Sequence, residues 1–488
     1  MAASPIPSGL LASLATATEQ GAKYDEEDSP SDVYYGYLTE IENVQMKESG
    51  EVTYSVQFEL LPREWMETAV LNLSEKSPDP PPISPVTLFA FDEGPIGPIA
   101  EALGVAVDDL QEGDWFMITL GKGIYGQRVS PKIDSVVLRM KANGRRAKRD
   151  HRRKLHRRFH PRGIFKVKVV KKIIAPVQPR EVGVMDVGQA SCNLIYDNAG
   201  APQIYVDVGV PMFFYYGSMP PAPGGGPSAI INPGPCLANN PNGIVTHFHW
   251  DHYSMLWMSA NAGQLRNRQW VFPNQIRPPT VNNIALGINA SANGQVHTWP
   301  ALLAFLIAGR VTIIQCAPGP GVVPWDRNNT GIAVLADMQV PPVPNRKTAL
   351  PGDAAFQSIP GIAGYNDLRW MTATHHGSDT NLVPPPMGFA NPPIPAPNAA
   401  NQGRLAYSYG IVGGPPGGVH CYGHPRAPAV AAYPAAGWGV GGNVASTAET
   451  GPNSGVAGRG NIMLANNVIP PACGVPNCPF HVFPKILQ

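Results

Sequence analysis

The sequence THFHWDH at residues 246–252 places three histidines and one aspartate within seven positions, although the whole 488-residue chain has only 12 histidines. A short apolar run precedes it and is typical of a buried strand that ends at the cluster. His247 and His249 lie two residues apart at this strand tip, so both can approach one metal ion from the same side. Asp251 and His252 follow in the next turn and face a second position. The pattern therefore predicts a metal site.

Apolar segments of strand length continue from about residue 164 to residue 465, with helical segments such as HYSMLWMSANAG and TWPALLAFLIAG between them. Short apolar runs that end in a polar residue favour buried strands whose carboxyl ends present side chains to a site. The fold class expected for this region is α/β.

Several motifs in this region occur in a fixed order. THFHWDH is similar to the HxHxDH signature of the metallo-β-lactamase superfamily. The series VGVMDVGQASCNLI, GD, TATHHGSDTN, YSYGIVG and YGHP, over roughly residues 180–430, resembles the metallo-β-lactamase domain of ComEC-type DNA-uptake proteins. This resemblance implies an αββα sandwich that holds one or two divalent ions, Zn²⁺ or Mn²⁺, at the edge of its paired sheets.

The resemblance also implies roles for individual residues. Asp207 matches an early aspartate at a strand end, and Asp353 matches the aspartate that bridges two metals. Asp251 and Asp353 are the expected catalytic carboxylates, which orient the attacking water. The expected metal ligands are His247, His249, Asp251, His252, Asp353 and His375.

The imidazole that follows the bridging aspartate in the family is His375 or His376 of THHGS. We assign His375 to the metal, and we assign His376, Ser378 and His424 to substrate contact. Where many superfamily members have a further histidine, before the bridging aspartate, the stretch DRNNTGIAVL offers only Asn328 or Asn329. His297, in a segment that indicates a helix start, is interpreted as structural. This departure predicts one tight and one weak metal position.

Charge divides the chain into three regions. Residues 1–138 hold 23 of the 35 acidic residues and 7 of the 36 basic ones, whereas residues 139–172 hold 16 basic residues and one acid, Asp150. The expected organisation is a disordered acidic lead at 1–32, a β-rich accessory domain at 33–140, a basic linker or arm at 141–172, a hydrolase domain at 173–470 and a C-terminal tail at 471–488.

The basic tract has two interpretations. It is either a linker that folds back on the acidic N-terminal domain, or an arm that binds DNA or RNA through counterion release. Almost no apolar residue is expected to anchor it to a core. The expected nucleic-acid contacts are Arg145, Arg146, Lys148, Arg149, Arg152, Arg153, Lys154, Arg157 and Arg158.

These patterns predict a metal-dependent hydrolase, with a phosphodiesterase or nuclease as the leading hypothesis. The alternatives are a hydrolase of a small phosphodiester or ester and a catalytically silent binding protein with the same fold. The β-rich domain is expected to bind a protein partner or a second copy. The sequence has no apolar run of membrane-spanning length and no secretory signal pattern, which predicts a cytoplasmic protein without a membrane partner.

The cysteines favour reduced thiols rather than a disulfide framework. Near the C-terminus, Cys473, Cys478 and His481 form a weak zinc pattern, for which a reduced pair in a loop is the preferred interpretation.

Overall fold

The computed structural model divides the chain into two compact units. The first contains the described residues of 33–159 together with 276–287, and the second contains those of 166–275 and 288–488. The described residues are 33–46, 52–68, 86–90, 95–120, 125–127, 135–138, 142–159, 166–211, 236–300, 302–318, 326–338, 347–378, 394–398, 403–410, 424–448, 460–465, 478 and 485–488.

The first unit is built around one mixed sheet. Its long hairpin pairs two strands antiparallel, from Tyr34 opposite Pro62 to Met46 opposite Val52. Both strands are rich in β-branched and aromatic residues, which favour β-structure. In the described ranges the sheet order is β5-β6-β3-β2-β1-β4-β7. The strands are β1 Val33–Met46, β2 Val52–Pro62, β3 Thr87–Ala90, β4 Trp115–Leu120, β5 Tyr125–Gln127, β6 Ser135–Leu138 and β7 Ala142–Arg146.

Helices of the described ranges occur in both units. They are α1 Arg63–Met66, α2 Ile96–Ala102, α3 Arg149–Phe159, α4 Val167–Ile174, α5 Trp250–Tyr253, α6 Met255–Met258, α7 Ala262–Arg266, α8 Pro279–Asn289, α9 Arg327–Thr330 and α10 Ala427–Ala435. The helical prediction for HYSMLWMSANAG, the segment after the histidine cluster, is therefore confirmed. No helix in these ranges is long and apolar enough to cross a bilayer.

Residues 149–159 of the basic tract form helix α3 and pack on the first unit, which corrects the expectation that almost nothing anchors the tract. Leu155 and Phe159 are one helical turn apart and are fully buried, and the ring of Phe159 lies 5.3 Å from that of Trp115. Arg146 and Arg152 both form ion pairs with the carboxylate of Asp114. The tract is therefore partly a structural element of the acidic unit.

The second unit contains two mixed sheets. In the described ranges their orders are β13-β12-β11-β10-β9-β8-β21-β22 and β14-β15-β16-β17-β18-β19-β20. Strands of the first are β8 Glu181–Val184, β9 Cys192–Tyr196, β10 Pro202–Val208, β11 Asn242–Ile244, β12 Gln269–Phe272, β13 Gln295–Thr298, β21 Ile462–Leu464 and β22 Lys485–Leu487. Strands of the second are β14 Phe305–Ala308, β15 Val311–Gln315, β16 Ile332–Asp337, β17 Lys347–Leu350, β18 Leu368–Thr372, β19 Arg404–Tyr407 and β20 Val444–Ser446.

One hydrophobic cluster joins the two sheets of the second unit. It includes Val184 and Val206 of one sheet and Ile313, Val334 and Trp370 of the other, all of them at most 1% exposed. Burying branched apolar side chains from both sheets contributes most of the stabilisation expected for such a pair. The second unit is therefore a mixed α/β structure in which two sheets share a core.

Two local predictions for this unit are wrong. The segment TWPALLAFLIAG was expected to be helical, but Phe305–Ala308 is strand β14, paired antiparallel with β15. Its side chains alternate between exposed and buried, which is the two-residue period of a strand. His297 was expected at a helix start and instead lies in strand β13.

Truncating Leu155 tests whether the basic tract is part of the fold. We expect Leu155→Ala to lower the free energy of unfolding of the first unit by roughly 2–5 kcal/mol, because it leaves a cavity beside the sheet. Hydrogen exchange within residues 149–159 should accelerate accordingly. Arg153→Ala is the matched control, since Arg153 is exposed on the same helix, and it should leave exchange unchanged. Equal exchange in both variants would contradict the packing.

Candidate metal centre

The candidate site lies where strands of both sheets end. Strands β10 and β11 are parallel neighbours in one sheet, and β17, β18 and β19 are parallel neighbours in the other. Because parallel strands present their carboxyl ends at the same edge, the segments that follow them meet. The histidine cluster follows β11, Asp353 follows β17, and the turn Thr374–Gly377 follows β18.

The first ligand group consists of Asp251, His252, Asp353 and His376. Each offers a nitrogen or carboxylate oxygen, and these atoms all lie within 4.8 Å of one another. The Nε2 of His376 is 3.0 Å from Asp251 Oδ2, and the Nε2 of His252 is 3.2 Å from Asp353 Oδ2. All are buried except Asp251, whose side chain is 18% exposed. These four side chains could hold one metal ion.

The second ligand group consists of His247, His249 and Asp353, again within 4.8 Å of one another. The rings of His247 and His249 are 4.6 Å apart, as expected for residues two apart at a strand tip. Asp353 belongs to both groups, so its carboxylate stands between two positions where an ion could bind. The predicted cluster residues and Asp353 are thus brought together.

The chemistry of this donor set fits a metal. The Nε2 atoms of His247 and His252 are buried and make no hydrogen bond within the described part of the chain. A buried polar atom without a partner costs about 1–3 kcal/mol. Imidazole nitrogens and carboxylate oxygens are common ligands of Zn²⁺ and related ions. An ion at these positions would satisfy the nitrogens.

Asp207 orients His252 from behind. The Nδ1–H of His252 donates to Asp207 Oδ2 over 2.8 Å, and Thr246 donates to the same carboxylate from its backbone N–H and its hydroxyl. This arrangement keeps the proton on Nδ1 and leaves Nε2 directed at Asp353 and Asp251. Carboxylate partners of this kind fix the tautomer and raise the basicity of a ligating imidazole.

Ser408 plays a similar part for His376. The Nδ1–H of His376 donates to the backbone carbonyl of Ser408 over 2.7 Å, so Nε2 faces Asp251. Neither Ser408 nor Thr246 was identified from the sequence. The signal for Thr246 was its position directly before the cluster, whereas Ser408 reaches the site only through the pairing of β18 with β19.

Charges in the site are strongly coupled. Burial would lower the pKa of His252, but the three surrounding carboxylates raise it well above its ordinary value. Burial likewise acts to lower the pKa of His376, and Asp353 and Asp251 raise it to about 9. Burial would raise the pKa of Asp353, which the imidazoles, His252 first, hold well below its usual range.

The turn between β18 and the next segment has an unusual backbone. His375 and His376 have φ angles of 46° and 54°, in the left-handed region that residues other than glycine and asparagine seldom adopt. The N–H of His375 donates to the carbonyl of Gly352, and the N–H of Ser378 donates to the carbonyl of His375. Strained backbone of this kind clusters at functional sites.

The remaining predicted residues have different positions. His375 was predicted as a ligand and His376 as a substrate contact; the structure places His376 in the four-residue group, with His375 Nε2 3.7 Å from Asp353 Oδ2. His424 is buried against both rings, 5.6 and 6.5 Å away, and is held by Gln189. Ser378 is buried behind the turn.

The two asparagines considered for the missing histidine differ in their contacts. Asn329 binds Asp326 through its amide nitrogen and accepts from the N–H of Ala355 through its oxygen, so it braces the segment after Asp353. The backbone N–H of Asn328 donates to Asp326 Oδ1, which caps helix α9. Of the weak C-terminal zinc pattern, Cys478 is buried and is a thiol rather than half of a disulfide, and Cys473 and His481 lie outside the described residues.

No protein-family model matches the sequence, and a search of curated proteins finds no significantly similar relative. The assignment of this site therefore depends on its own geometry.

Replacing Asp207 tests its role in orienting His252. In Asp207→Asn the side-chain NH₂ would face Nδ1 of His252, which favours the tautomer with the proton on Nε2. A proton on Nε2 blocks that nitrogen from binding metal. We expect the affinity for Zn²⁺ to fall about 10- to 100-fold, measured by competition with a chelator of known affinity. Wild-type affinity in this variant would show that the carboxylate does not set the tautomer.

Gly209 tests the close packing beneath Asp251. A Cβ at Gly209 would stand 1.5 Å from the Asp251 carbonyl oxygen, so Gly209→Ala must displace the backbone of Asp251. We expect lower thermal stability and at least about 10-fold weaker metal binding, as for misplaced ligands elsewhere. Gly263→Ala is the matched control because nothing lies within 4 Å of a Cβ there. Similar behaviour of the two variants would refute the constraint.

Proposed function

We propose that the second unit is an αββα hydrolase domain of the metallo-β-lactamase type whose metal centre cleaves phosphodiester bonds, with nucleic acid as the substrate class. The observation that carries this proposal is the pair of ligand groups that share Asp353. Two adjacent divalent ions are a common arrangement for phosphodiester hydrolysis.

The αββα assignment is supported by helices on the outer faces of the two sheets. The indole N–H of Trp270 in β12 donates to the carbonyl of Leu265 in α7. On the other sheet, Tyr433 of α10 packs against Tyr407 of β19, with ring centroids 5.9 Å apart. These contacts, with the shared core between the sheets, are what a four-layer sandwich requires.

Residues of the chain would divide the catalytic work. Divalent ions bound here would supply an activated water and stabilise charge on the phosphate oxygens. Asp353 belongs to both positions, and Asp251, at 18% exposure, is the most exposed carboxylate of the set and would be the one nearest to incoming substrate. His424, buried next to the turn, would be available as an imidazole for substrate contact.

Exposed cations support nucleic acid as the substrate. Lys148, directly before α3, and Arg149 and Arg153 on α3 are exposed, whereas Arg146 at the end of β7 and Arg152 on α3 are held by Asp114. In the second unit, exposed lysines lie on or directly before α4, at positions 166, 168, 171 and 172. Such groups bind the phosphate backbone by counterion release.

A second candidate is a hydrolase of a small phosphodiester. The observation that favours it is the anchoring of α3 by Leu155 and Phe159, because a helix that stabilises the first unit needs no nucleic acid to explain its presence. Activity on a small substrate without dependence on the exposed cations would then be expected.

Cleavage assays separate these functions. We expect the wild type with Mn²⁺ or Zn²⁺ to cut labelled DNA or RNA, and we expect Asp353→Asn to lose this activity by at least about 100-fold, because both ligand groups lose their shared carboxylate. A generic small phosphodiester, bis(p-nitrophenyl) phosphate, is assayed in parallel. Cleavage of that compound alone would favour the second candidate, and no cleavage of either would contradict hydrolysis.

The exposed cations are tested without disturbing the helix. Lys148→Ala, Arg149→Ala and Arg153→Ala are combined, and affinity for labelled nucleic acid is measured over a range of salt concentrations. We expect the salt slope to fall by up to about 3, one for each cation that no longer binds a phosphate. Arg146→Ala, which removes a cation already paired with Asp114, is the comparison and should change the slope less. An unchanged salt slope in the triple variant would exclude Lys148, Arg149 and Arg153 as contacts to the phosphate backbone.

A further inference from the structure

The turn Thr374–Gly377 presents two adjacent imidazoles to the same carboxylate. The Nε2 of His375 is 3.7 Å from Asp353 Oδ2, and the Nε2 of His376 is 4.0 Å from Asp353 Oδ1. Only His376 completes the four-residue group, so the position of His375 is not explained by that group.

Three imidazole nitrogens lie at similar distances from one oxygen of Asp353. The Nε2 atoms of His252, His247 and His375 lie 3.2, 3.6 and 3.7 Å from Asp353 Oδ2. Ligand atoms about 2.1 Å from a tetrahedral zinc ion are about 3.4 Å from one another. His375 therefore stands as far from the shared carboxylate as His247 does, and His247 belongs to the three-residue group.

The structure gives different contacts for the other two histidines that could add an imidazole to the group of His247 and His249. His297 is the one described histidine between the cluster and Asp353 along the chain, and its Nε2–H donates to Gln269 over 2.7 Å in the β12–β13 pair. His424 contacts the rings of His375 and His376, and its Nδ1 is bound to the side chain of Gln189. His375, which neither ligand group includes, has its Nε2 3.7 Å from Asp353 Oδ2.

The backbone of the turn Thr374–Gly377 gives an independent indication that the imidazole of His375 belongs to the site. Two consecutive non-glycine residues in the left-handed region cost free energy at each position. The φ of 46° at His375 is accounted for if its imidazole must also point into the site.

We infer that the turn supplies one ligand to each metal position, His376 to the group of Asp251 and His252, and His375 to the group of His247 and His249. Each position then has three side chains of its own and shares Asp353. This inference rests on the metal centre of the proposed function. It assigns His375 the place of the histidine that DRNNTGIAVL lacks.

The test counts bound metal rather than activity. The full-length protein is stripped of metal and titrated with Co²⁺, and stoichiometry and affinity are followed by calorimetry and by visible absorption of the bound ion. His375→Gly and His376→Gly remove the imidazoles while suiting the left-handed backbone. We expect two ions in the wild type, and at least about 10-fold weaker binding of a different ion in each variant.

His249→Ala identifies which ion is affected. We expect it to weaken the same ion as His375→Gly, so that the combined variant binds the remaining ion unchanged. His376→Gly combined with His375→Gly should weaken both ions. His297→Gln, a change at an imidazole outside the site, is the control and should retain both. Melting in chelator checks folding; if His375→Gly fails to fold, His375→Asn replaces it, because asparagine also tolerates the left-handed region.

The outcomes separate this inference from the function on which it rests. Two ions bound equally well by the wild type and by His375→Gly would overturn the role of His375 and leave the metal centre intact. A single ion in the wild type that His375→Gly retains would overturn it as well. No bound ion in the wild type would overturn both.

Discussion

The buried carboxylate of Asp353 is the interaction on which the candidate site depends. An anion removed from water is costly unless positive charge surrounds it, and four imidazole nitrogens lie within about 4 Å of its two oxygens. The pKa of Asp353 is held well below its ordinary value by these neighbours, His252 first, against the effect of burial. The same convergence that makes the carboxylate tolerable makes the set suitable for metal ions.

The two-sheet architecture brings these groups together. One sheet delivers the histidine cluster and Asp207 from the ends of neighbouring parallel strands, and the other delivers Asp353 and the two-histidine turn. The shared apolar core holds the strand ends in register, so the strained φ angles of the turn are maintained by packing and by backbone hydrogen bonds rather than by the turn itself.

Much of the site could be predicted from the sequence because four of its residues lie within six positions. The spacing of His247, His249, Asp251 and His252 carries its own geometry, since residues two apart at a strand tip share a side. Asp353 is about a hundred residues away, and only the resemblance placed it. The choice between His375 and His376 could not be made, because adjacent residues normally point apart and nothing in THHG reveals two left-handed residues.

Two other predictions, for the basic tract and for the segment around Phe305, were wrong because a conspicuous sequence pattern obscured a weaker one. In the basic tract, charge density concealed Leu155 and Phe159, whose four-residue spacing is the helical signal that was present. Around Phe305 the run of apolar residues concealed an alternation that becomes evident only once exposure is known. Hydrophobic runs of this length do not distinguish a helix from a strand.

Anomalous X-ray scattering from crystals of the full-length protein grown with Zn²⁺ would show directly whether two ions share the Asp353 carboxylate. We expect two peaks roughly 3.5–4 Å apart, one on each side of the Asp353 carboxylate, with the peak at His252 also contacting Asp251. A site without zinc, or zinc bound away from Asp353, would contradict it.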